Sequence, residues 1–272
     1  MQHIVKTEWL KIKKYPAFWW VMGITALTYP GINYIFHGIY VDITQGDSQK
    51  GKLLKSLIGN PFSFPEAWHT VAYASSIFVF IPAIVVIMLI TNEYTYKTSR
   101  QNIIDGWSRT EFMIAKMIDV LILTVIVTIL SAIVALIIGL TNTDSTTANH
   151  WSMSYYIGLF ALQTFSQLSL AFTVGLLLRK SFIALAVFTF YFIIFEPIVV
   201  TVLKYKYKST IGEYFPLEIS QKLLPKPLFI GRLDEAGYQA SLTAVKYHIG
   251  YTLVLVALTW FFCFWLNNRR DL

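Results

Sequence analysis

The sequence predicts an all-α membrane protein with six transmembrane helices and an N-terminal interfacial amphipathic helix. Three observations lead to this fold class. Only 14% of the 272 residues are charged and 56% are hydrophobic, whereas soluble globular domains carry about 25% charged residues. The apolar residues fall into runs of about 20, the length that a helix needs to cross the hydrocarbon core. The polar segments between these runs are too short for a soluble domain, so residues 1–272 are predicted to form one transmembrane domain.

Residues 1–15 predict a helix that lies in the plane of the membrane surface. The apolar residues recur at roughly helical spacing, at Ile4, Val5, Trp9 and Ile12. Lysines occupy the other side, and a basic amphipathic helix with an aromatic residue suits the membrane–water interface. Pro16 separates this helix from the first apolar run. That run is longer than a signal-peptide core and lacks a small-residue cleavage site, so we expect it to be a retained span.

Six apolar runs predict the six spans, at about 17–38, 69–91, 113–140, 152–178, 181–203 and 244–266. Pro82 falls in the middle of the second span, where neighbouring helices can supply the hydrogen bonds that a proline removes. The longest polar segments outside the spans are 39–68 and 204–243. An even number of spans places both termini on the same side of the membrane.

Basic residues near the ends of spans decide which side this is. Five of the six arginines fall in the segments that share a side with the termini, although the opposite segments hold nearly as many cations in total. We therefore expect a multi-pass protein of the cell (inner or cytoplasmic) membrane, with both termini cytoplasmic and 204–243 extracellular. The outer membrane surface would then carry an aromatic belt formed by Trp68, Trp151, Tyr155 and Tyr156.

The net charge of +7 does not indicate nucleic-acid binding. The basic residues flank the apolar runs, where they meet anionic lipid headgroups, and they form no basic face with stacking aromatic residues. The partner that this charge predicts is membrane lipid.

One segment comes close to a nucleotide-binding motif. Residues 46–53 read GDSQKGKL, one residue away from the phosphate-binding pattern GxxxxGK[ST]. The hydroxyl that would hold magnesium is missing, and no buried strand precedes the segment. We expect a solvated loop and no cofactor bound by this chain.

Enzyme and metal motifs are also missing. The sequence has neither HExxH nor GxSxG, and a lone Cys263 excludes an internal disulfide framework and a cysteine metal cluster. Four histidines near the predicted outer ends of spans suit a wet interface as well as a metal, and no i,i+4 pair supports a metal site: His37, His69, His150 and His248. The prediction is a protein that is not an enzyme and has no metal site.

Two features inside the spans are candidates for a translocation path. Glu196, before Pro197 in the fifth span, is an acid inside an apolar run, where charges are costly and often functional. A role in the path and a role as an interfacial acid at a helix end both remain open. The fourth span carries a polar stripe of Gln163, Ser166, Gln167, Ser169 and Thr173. Such stripes join helices to one another or line a path for a polar or amphipathic cargo.

The polar segment 92–116 separates the second and third apolar runs. It carries four cations and three acids: Lys97, Arg100, Arg109, Lys116, Glu93, Asp105 and Glu111. Its order of residues resembles the cytoplasmic loop of ABC-2 type transporter permeases, in which an acid, a Gly-Thr pair, a leucine-like stretch, a Ser-Arg pair and a lysine follow one another. The matching residues here are Glu93, Lys97-Thr98, Asn102-Ile103-Ile104, Ser108-Arg109 and Lys116. Lys97 stands where the family usually has glycine, so the conformation of the turn before Thr98 could differ from that in the family.

The resemblance extends to the layout of an interfacial helix, six spans and a long outer segment, in which Tyr214 to Leu217 (YFPL) is similar to the family's outer Leu-Pro element. It implies the membrane subunit of an ABC exporter, acting as a homo- or heterodimer with two copies of an ABC ATPase that bind ATP and magnesium. Amphipathic, peptide, antibiotic or lipid-like molecules are the cargoes it suggests, with ions as a further class.

The resemblance also implies that the loop 92–112 couples the ATPase to the spans. The coupling residues would be Glu93, Lys97, Thr98, Arg100, Ser108, Arg109 and Lys116. We expect Glu93 to cap a helix or to pair with Arg100 or Arg109. Arg109 and Lys116, seven residues apart, would share one helical face.

Two other classes of function compete with this one. A secondary transporter or channel that works without an ATPase would need repeat symmetry and charged groups near the middle of the bilayer, and only Glu196 comes close. A membrane anchor or assembly protein would not need the polar stripe of the fourth span. The presence of an ATPase partner would distinguish an ABC permease from both of these alternatives.

Overall fold

The computed structural model describes residues 2–45, 59–143, 149–231 and 235–269; the segment 46–53 lies outside these ranges. Within them the chain is helical and has no strand. Twelve α-helices in these ranges are labelled here as α1 Gln2–Lys14, α2 Pro16–Gln45, α3 Glu66–Ser76, α4 Phe80–Thr95, α5 Thr98–Ile104, α6 Arg109–Asn142, α7 Tyr155–Leu178, α8 Ser181–Phe190, α9 Glu196–Tyr205, α10 Pro216–Gln221, α11 Leu228–Gly231 and α12 Glu235–Arg269. A π-helical segment, Tyr191–Phe195, joins α8 to α9, and a 3-10 helix, Ile211–Tyr214, precedes α10.

Four of the described helices are long and apolar enough to cross a membrane: α6, α7, the continuous helix Ser181–Tyr205 and α12. The pair α3 and α4 adds a fifth span if its two halves are taken together. The first predicted span does form a helix, α2, which at 1.5 Å per residue is about 45 Å long. Its tryptophan, tyrosine and asparagine residues make it less apolar than the others, so the count of six spans stays a prediction.

The second predicted span is broken. It consists of α3 and α4, which meet at an angle of 50° across Ile77–Val79. Pro82 is the third residue of α4 and not the centre of a straight helix. Its ring leaves no room for the carbonyl group of Phe78, four residues earlier, in helical geometry. The bend therefore lies just before the proline.

Other helices extend beyond their predicted ends. The helix α12 begins at Glu235, nine residues before the predicted sixth span, and α2 continues to Gln45. The predicted polar segment 204–243 contains the short helices α10 and α11. The N-terminal segment is helical as predicted; among its described side chains Ile12 is buried and Trp9 is 38% exposed. A position of α1 in the membrane surface stays a prediction.

The helix α7 lies at the centre of the bundle and packs against α3, α4, α6, α8 and α12. More than half of its span is buried, against a third or less of the other three long spans. The approach to α4 is close at Gly175, where an added Cβ atom would lie 2.5 Å from Cγ2 of Ile90. The lack of a side chain at Gly175 thus allows the backbone of α7 to pack directly against the Ile90 side chain of α4.

We expect Gly175→Ala to lower the stability of the bundle, because Ile90 is fully buried and its β-branched side chain has few other rotamers. The loss should be about 1–3 kcal/mol of unfolding free energy, as for other overpacked cores. The matched control is Gly158→Ala in the same helix, where nothing lies within 4 Å of the added atom. Thermal unfolding in mild detergent should show a lower Tm for Gly175→Ala and an unchanged Tm for Gly158→Ala. Equal Tm values for the two variants would contradict the close packing of α4 and α7.

Candidate functional site

Five charged side chains meet at one end of the bundle. Lys116 is 3% exposed, and its Nζ lies 2.8 Å from Oε1 of Glu93 and 3.3 Å from Oδ2 of Asp119. The same Nζ donates to Oε2 of Glu8. Lys11 completes the group, 3.0 Å from Oε1 of Glu8 and 3.2 Å from Oε1 of Glu93. We call these five residues the Lys116 cluster.

Three helices supply the cluster. Glu8 and Lys11 are three residues apart on α1, and Lys116 and Asp119 are three apart on α6, so each pair shares a helical face. Glu93 comes from the last turn of α4. A buried ammonium group is stable only when it is paired and hydrogen-bonded. The cluster therefore fixes α1, α4 and α6 to one another.

Glu8 is ionised at neutral pH within this cluster. Burial alone would raise the pKa of its carboxyl group, but the ammonium groups of Lys116 and Lys11 outweigh burial and lower the pKa below its usual value. Its negative charge is thus part of what holds Lys116.

The short helix α5 is tied to the cluster through Thr98. Its Oγ1 donates to Oε2 of Glu93 over 2.5 Å. Lys97, just before it, has φ 56° and ψ 21°. This left-handed conformation is the one that glycine adopts freely and that costs other residues about 1–2 kcal/mol. Lys97, at the position where the resemblance leads one to expect glycine, therefore raises the free energy of the turn without excluding it.

After α5 the chain turns into α6 through a capping box. Ser108 accepts from the backbone N–H of Glu111 over 3.1 Å, and the Glu111 carboxylate accepts from the backbone N–H of Ser108 over 2.8 Å. Such reciprocal bonds satisfy two N–H groups at a helix start. The role that the structure gives to Ser108 is thus to begin α6.

The two arginines lie apart from Glu93. Arg100 is exposed on α5. The Nη1 of Arg109 donates to the carbonyl oxygens of Asn267 at 3.2 Å and Asn268 at 3.0 Å, and Asn267 donates back to the Arg109 carbonyl group. The predicted partners of Glu93 are replaced by Lys116 and Lys11. Arg109 lies about 10.5 Å from Lys116 along the axis of α6. It is therefore outside the Lys116 cluster, and it contacts the end of α12 instead.

These contacts bring together the segments that the sequence predicted to lie on the same side of the membrane. The helix α1, the polar segment 92–116 and the end of α12 meet at one end of the bundle. The turn between α7 and α8 joins them, because the guanidinium group of Arg179 lies 4.6 Å from the centre of the Tyr94 ring. Which compartment this end faces stays a prediction.

Sequence reasoning missed Glu8, Lys11 and Asp119. It treated Glu196 as the clear acid inside an apolar run, but Asp119 is a second one, and it follows Lys116 by three residues. Glu8 precedes Lys11 by the same interval in a helix that is otherwise basic. Opposite charges at i,i+3 were the available signal, since such pairs share a face.

The polar stripe of α7 divides into two parts. Some residues join α7 to its neighbours: Gln167 donates to Ser220 of α10 over 3.4 Å, and Oγ1 of Thr173 lies 3.2 Å from Sγ of Cys263 in α12. Ser169 accepts from the indole of Trp260, also in α12, over 3.0 Å. These contacts fit helix association.

Gln163 and Ser166 make up the second part. Both are buried, and Oε1 of Gln163 and Oγ of Ser166 have no hydrogen-bond partner. Gln163 lines a cavity of about 330 Å³ that also borders the break between α3 and α4 and the π-helical segment, at Ser76, Ile77, Phe80, Phe192, Ile193 and Pro197 among others. The unpaired Oε1 of Gln163 therefore leaves an acceptor available beside this cavity, whereas Ser166 does not line it.

Glu196 is 2% exposed, and its Oε1 accepts from the backbone N–H of Glu218 over 2.7 Å. Glu218 is in the first turn of α10, where N–H groups lack intrahelical partners and favour a negative charge. The contact joins the continuous helix Ser181–Tyr205 to the start of α10, and both interpretations of Glu196 stay predictions.

Several long apolar helices, with a buried charged cluster at one end of the bundle, indicate a multi-pass membrane protein. The sequence pattern of the ABC-2 family transporter proteins matches residues 4–195, well over half of the chain. The chain belongs to this family and is a membrane-spanning permease of the ABC transporter class. Membership implies partnership with an ABC ATPase and does not favour a transporter or channel without one. No curated protein matches the chain.

Proposed function

We propose that the chain is the permease subunit of an ABC exporter, working as a dimer of permeases with two ATPase subunits that bind ATP and magnesium. The observation that carries the proposal is the link from α5 to the buried charges, through Thr98, Glu93 and Lys116. A helix exposed on one side and tied to three others through a buried cluster is suited to transmit a push from a partner.

In this mechanism the ATPase docks on the loop 92–112. Arg100 meets the partner directly, because it is exposed on α5 and lies outside the Lys116 cluster. ATP binding brings the two ATPases together and moves α5. The cluster carries this motion to α1, α4 and α6, and a cleft opens at the interface of the two permeases.

The cargo we propose is amphipathic, of peptide, antibiotic or lipid-like character. The cavity beside Gln163 combines apolar residues such as Phe80 and Phe192 with amide groups from Gln163 and Gln221. A mixed lining of this kind suits a molecule with an apolar body and a polar group.

The proposed orientation places the Lys116 cluster and both termini in the cytoplasm of a cell in whose cytoplasmic membrane the protein resides. The helix α2 then serves as a sixth span, since an odd number of crossings would separate α1 from the end of α12. Their meeting at one end of the bundle supports this count.

Charge reversal at Arg100 tests the docking of the ATPase. We expect Arg100→Glu to reduce the stimulation of the co-purified ATPase about tenfold, which corresponds to about 1.4 kcal/mol of lost coupling. The matched control is Lys226→Glu, an exposed cation of the predicted extracellular segment. ATP hydrolysis is measured with each purified complex at equal protein content.

Stimulation by Arg100→Glu equal to that of the control would contradict docking on α5. In a separate transport assay, full activity without any ATPase would contradict the ABC mechanism. Arg109→Glu is a poorer test, because Arg109 also holds the end of α12.

A further inference from the structure

The Lys116 cluster contains more acid than base. Three carboxyl groups from Glu8, Glu93 and Asp119 face two ammonium groups, and one of these, on Lys11, is 33% exposed. With every group ionised, a buried site of this kind would hold a net negative charge. An uncompensated buried charge is strongly unfavourable, and such sites neutralise by binding a proton.

Asp119 is the carboxyl group with the poorest support. It is 3% exposed, its Oδ2 is 3.3 Å from Lys116 Nζ, and its Oδ1 has no hydrogen-bond partner. By contrast, Glu93 accepts from Lys116, Lys11 and Thr98. Beside Asp119 is a cavity of about 10 Å³, which otherwise has an apolar lining apart from Lys116: Val86, Leu89, Ile90, Val120, Leu123 and Phe172. A site lined in this way disfavours a second negative charge.

The carboxyl groups of Asp119 and Glu8 both contact Nζ of Lys116, so they share one buried site. Two carboxyl groups that share a buried site do not both ionise; one of them keeps a proton and donates it to the other. Lysines 116 and 11 hold Glu8 in its ionised form, which leaves Asp119 as the group that carries the proton.

We propose that Asp119 and Glu8 form a proton-binding site, a carboxyl–carboxylate pair that joins α6 to α1. The groups that face Asp119 are Glu8 and Lys11 from α1, Glu93 from α4 and Lys116 from α6, while α7 contributes the uncharged Phe172. Loss of the proton leaves two carboxylates facing each other and weakens the attachment of α1. The proton is thus a ligand that holds α1 against the helices of the cluster.

Infrared spectroscopy of the purified full-length chain in detergent detects this proton directly. At neutral pH we expect a carbonyl band of a protonated carboxylic acid that shifts in heavy water, disappears in Asp119→Asn and changes frequency in Glu8→Gln. The matched control is Asp105→Asn, an exposed acid whose replacement should leave the band unchanged. The same band in Asp119→Asn as in the unmodified chain would overturn the proposal.

Hydrogen exchange of α1 gives a second measurement that needs no variant to fold. The folded site binds a proton that the open site releases, so attachment of α1 should weaken as the pH rises. After correction for the intrinsic pH dependence of exchange, amides of residues 2–14 should exchange about tenfold faster in alkaline than in weakly acidic solution, a change of about 1.4 kcal/mol. Exchange that does not respond to pH would overturn the proposal. Neither measurement involves an ATPase, so this inference and the proposed function can fail separately.

Discussion

Replacing Lys116 by methionine is expected to lower the free energy of unfolding by about 3–5 kcal/mol, the usual result of removing one partner from a buried ion pair. Methionine fills similar space but leaves Glu8 and Glu93 without the ammonium group that both accept from. Lys11 remains, but its partial exposure makes it a weaker partner. The three helices of the cluster should separate before the rest of the bundle unfolds.

The control for this variant is Lys13→Met, which removes an exposed lysine of α1 outside the cluster. Thermal unfolding and the yield of monodisperse protein in mild detergent compare the two variants. If Lys116→Met is as stable as Lys13→Met, the buried charges do not hold the helices together, and the proposed transmission from α5 loses its basis.

The second large effect is expected at the other end of the bundle. Trp68 is 1% exposed, its ring lies 5.3 Å from those of Phe64 and Trp151, and its Nε1 donates to the His150 carbonyl oxygen over 2.8 Å. We expect Trp68→Ala to lower the free energy of unfolding by about 3–5 kcal/mol, as large-to-small changes of buried aromatic residues do.

The control for Trp68 is Trp20→Ala in α2, where the indole is 76% exposed. Its removal should change the unfolding free energy little, because an exposed side chain leaves no cavity. Denaturation followed by circular dichroism in the same detergent compares the two. A similar small loss in both would show that Trp68 is not a packing centre of the segment 149–151 against α3.

The sequence predicted the helices well where one physical signal dominated. Long apolar runs between charged residues located α6, α7 and the helix Ser181–Tyr205 to within a few residues, because lipid forces a backbone to satisfy its own hydrogen bonds. The outer aromatic belt was predicted less well. Trp151 and Tyr155 are exposed, but Trp68 and Tyr156 are buried, since hydropathy does not distinguish a lipid-facing side from a helix-facing one.

The candidate site was predicted only in part, because some of its residues are far apart in the sequence. Glu93, Thr98 and Lys116 belong to one polar segment, and their importance was visible in it. The contact of Glu8 with Lys116 spans 108 residues, and no local pattern indicates that α1 reaches α6. The partner of Arg109 is still more remote, 158 residues away at Asn267.

The length of α12 has a consequence for the water-exposed surface of the protein. Its 35 residues extend about 52 Å, whereas the hydrocarbon layer is about 30 Å thick. Lys246 is exposed on its side, and a bare ammonium group is costly within hydrocarbon. We therefore expect the boundary to fall at or after this lysine, since the 20 or so residues that follow suffice to cross. The first turns of α12, from Glu235 onward, would then project about 18 Å beyond the hydrocarbon as a continuous helix.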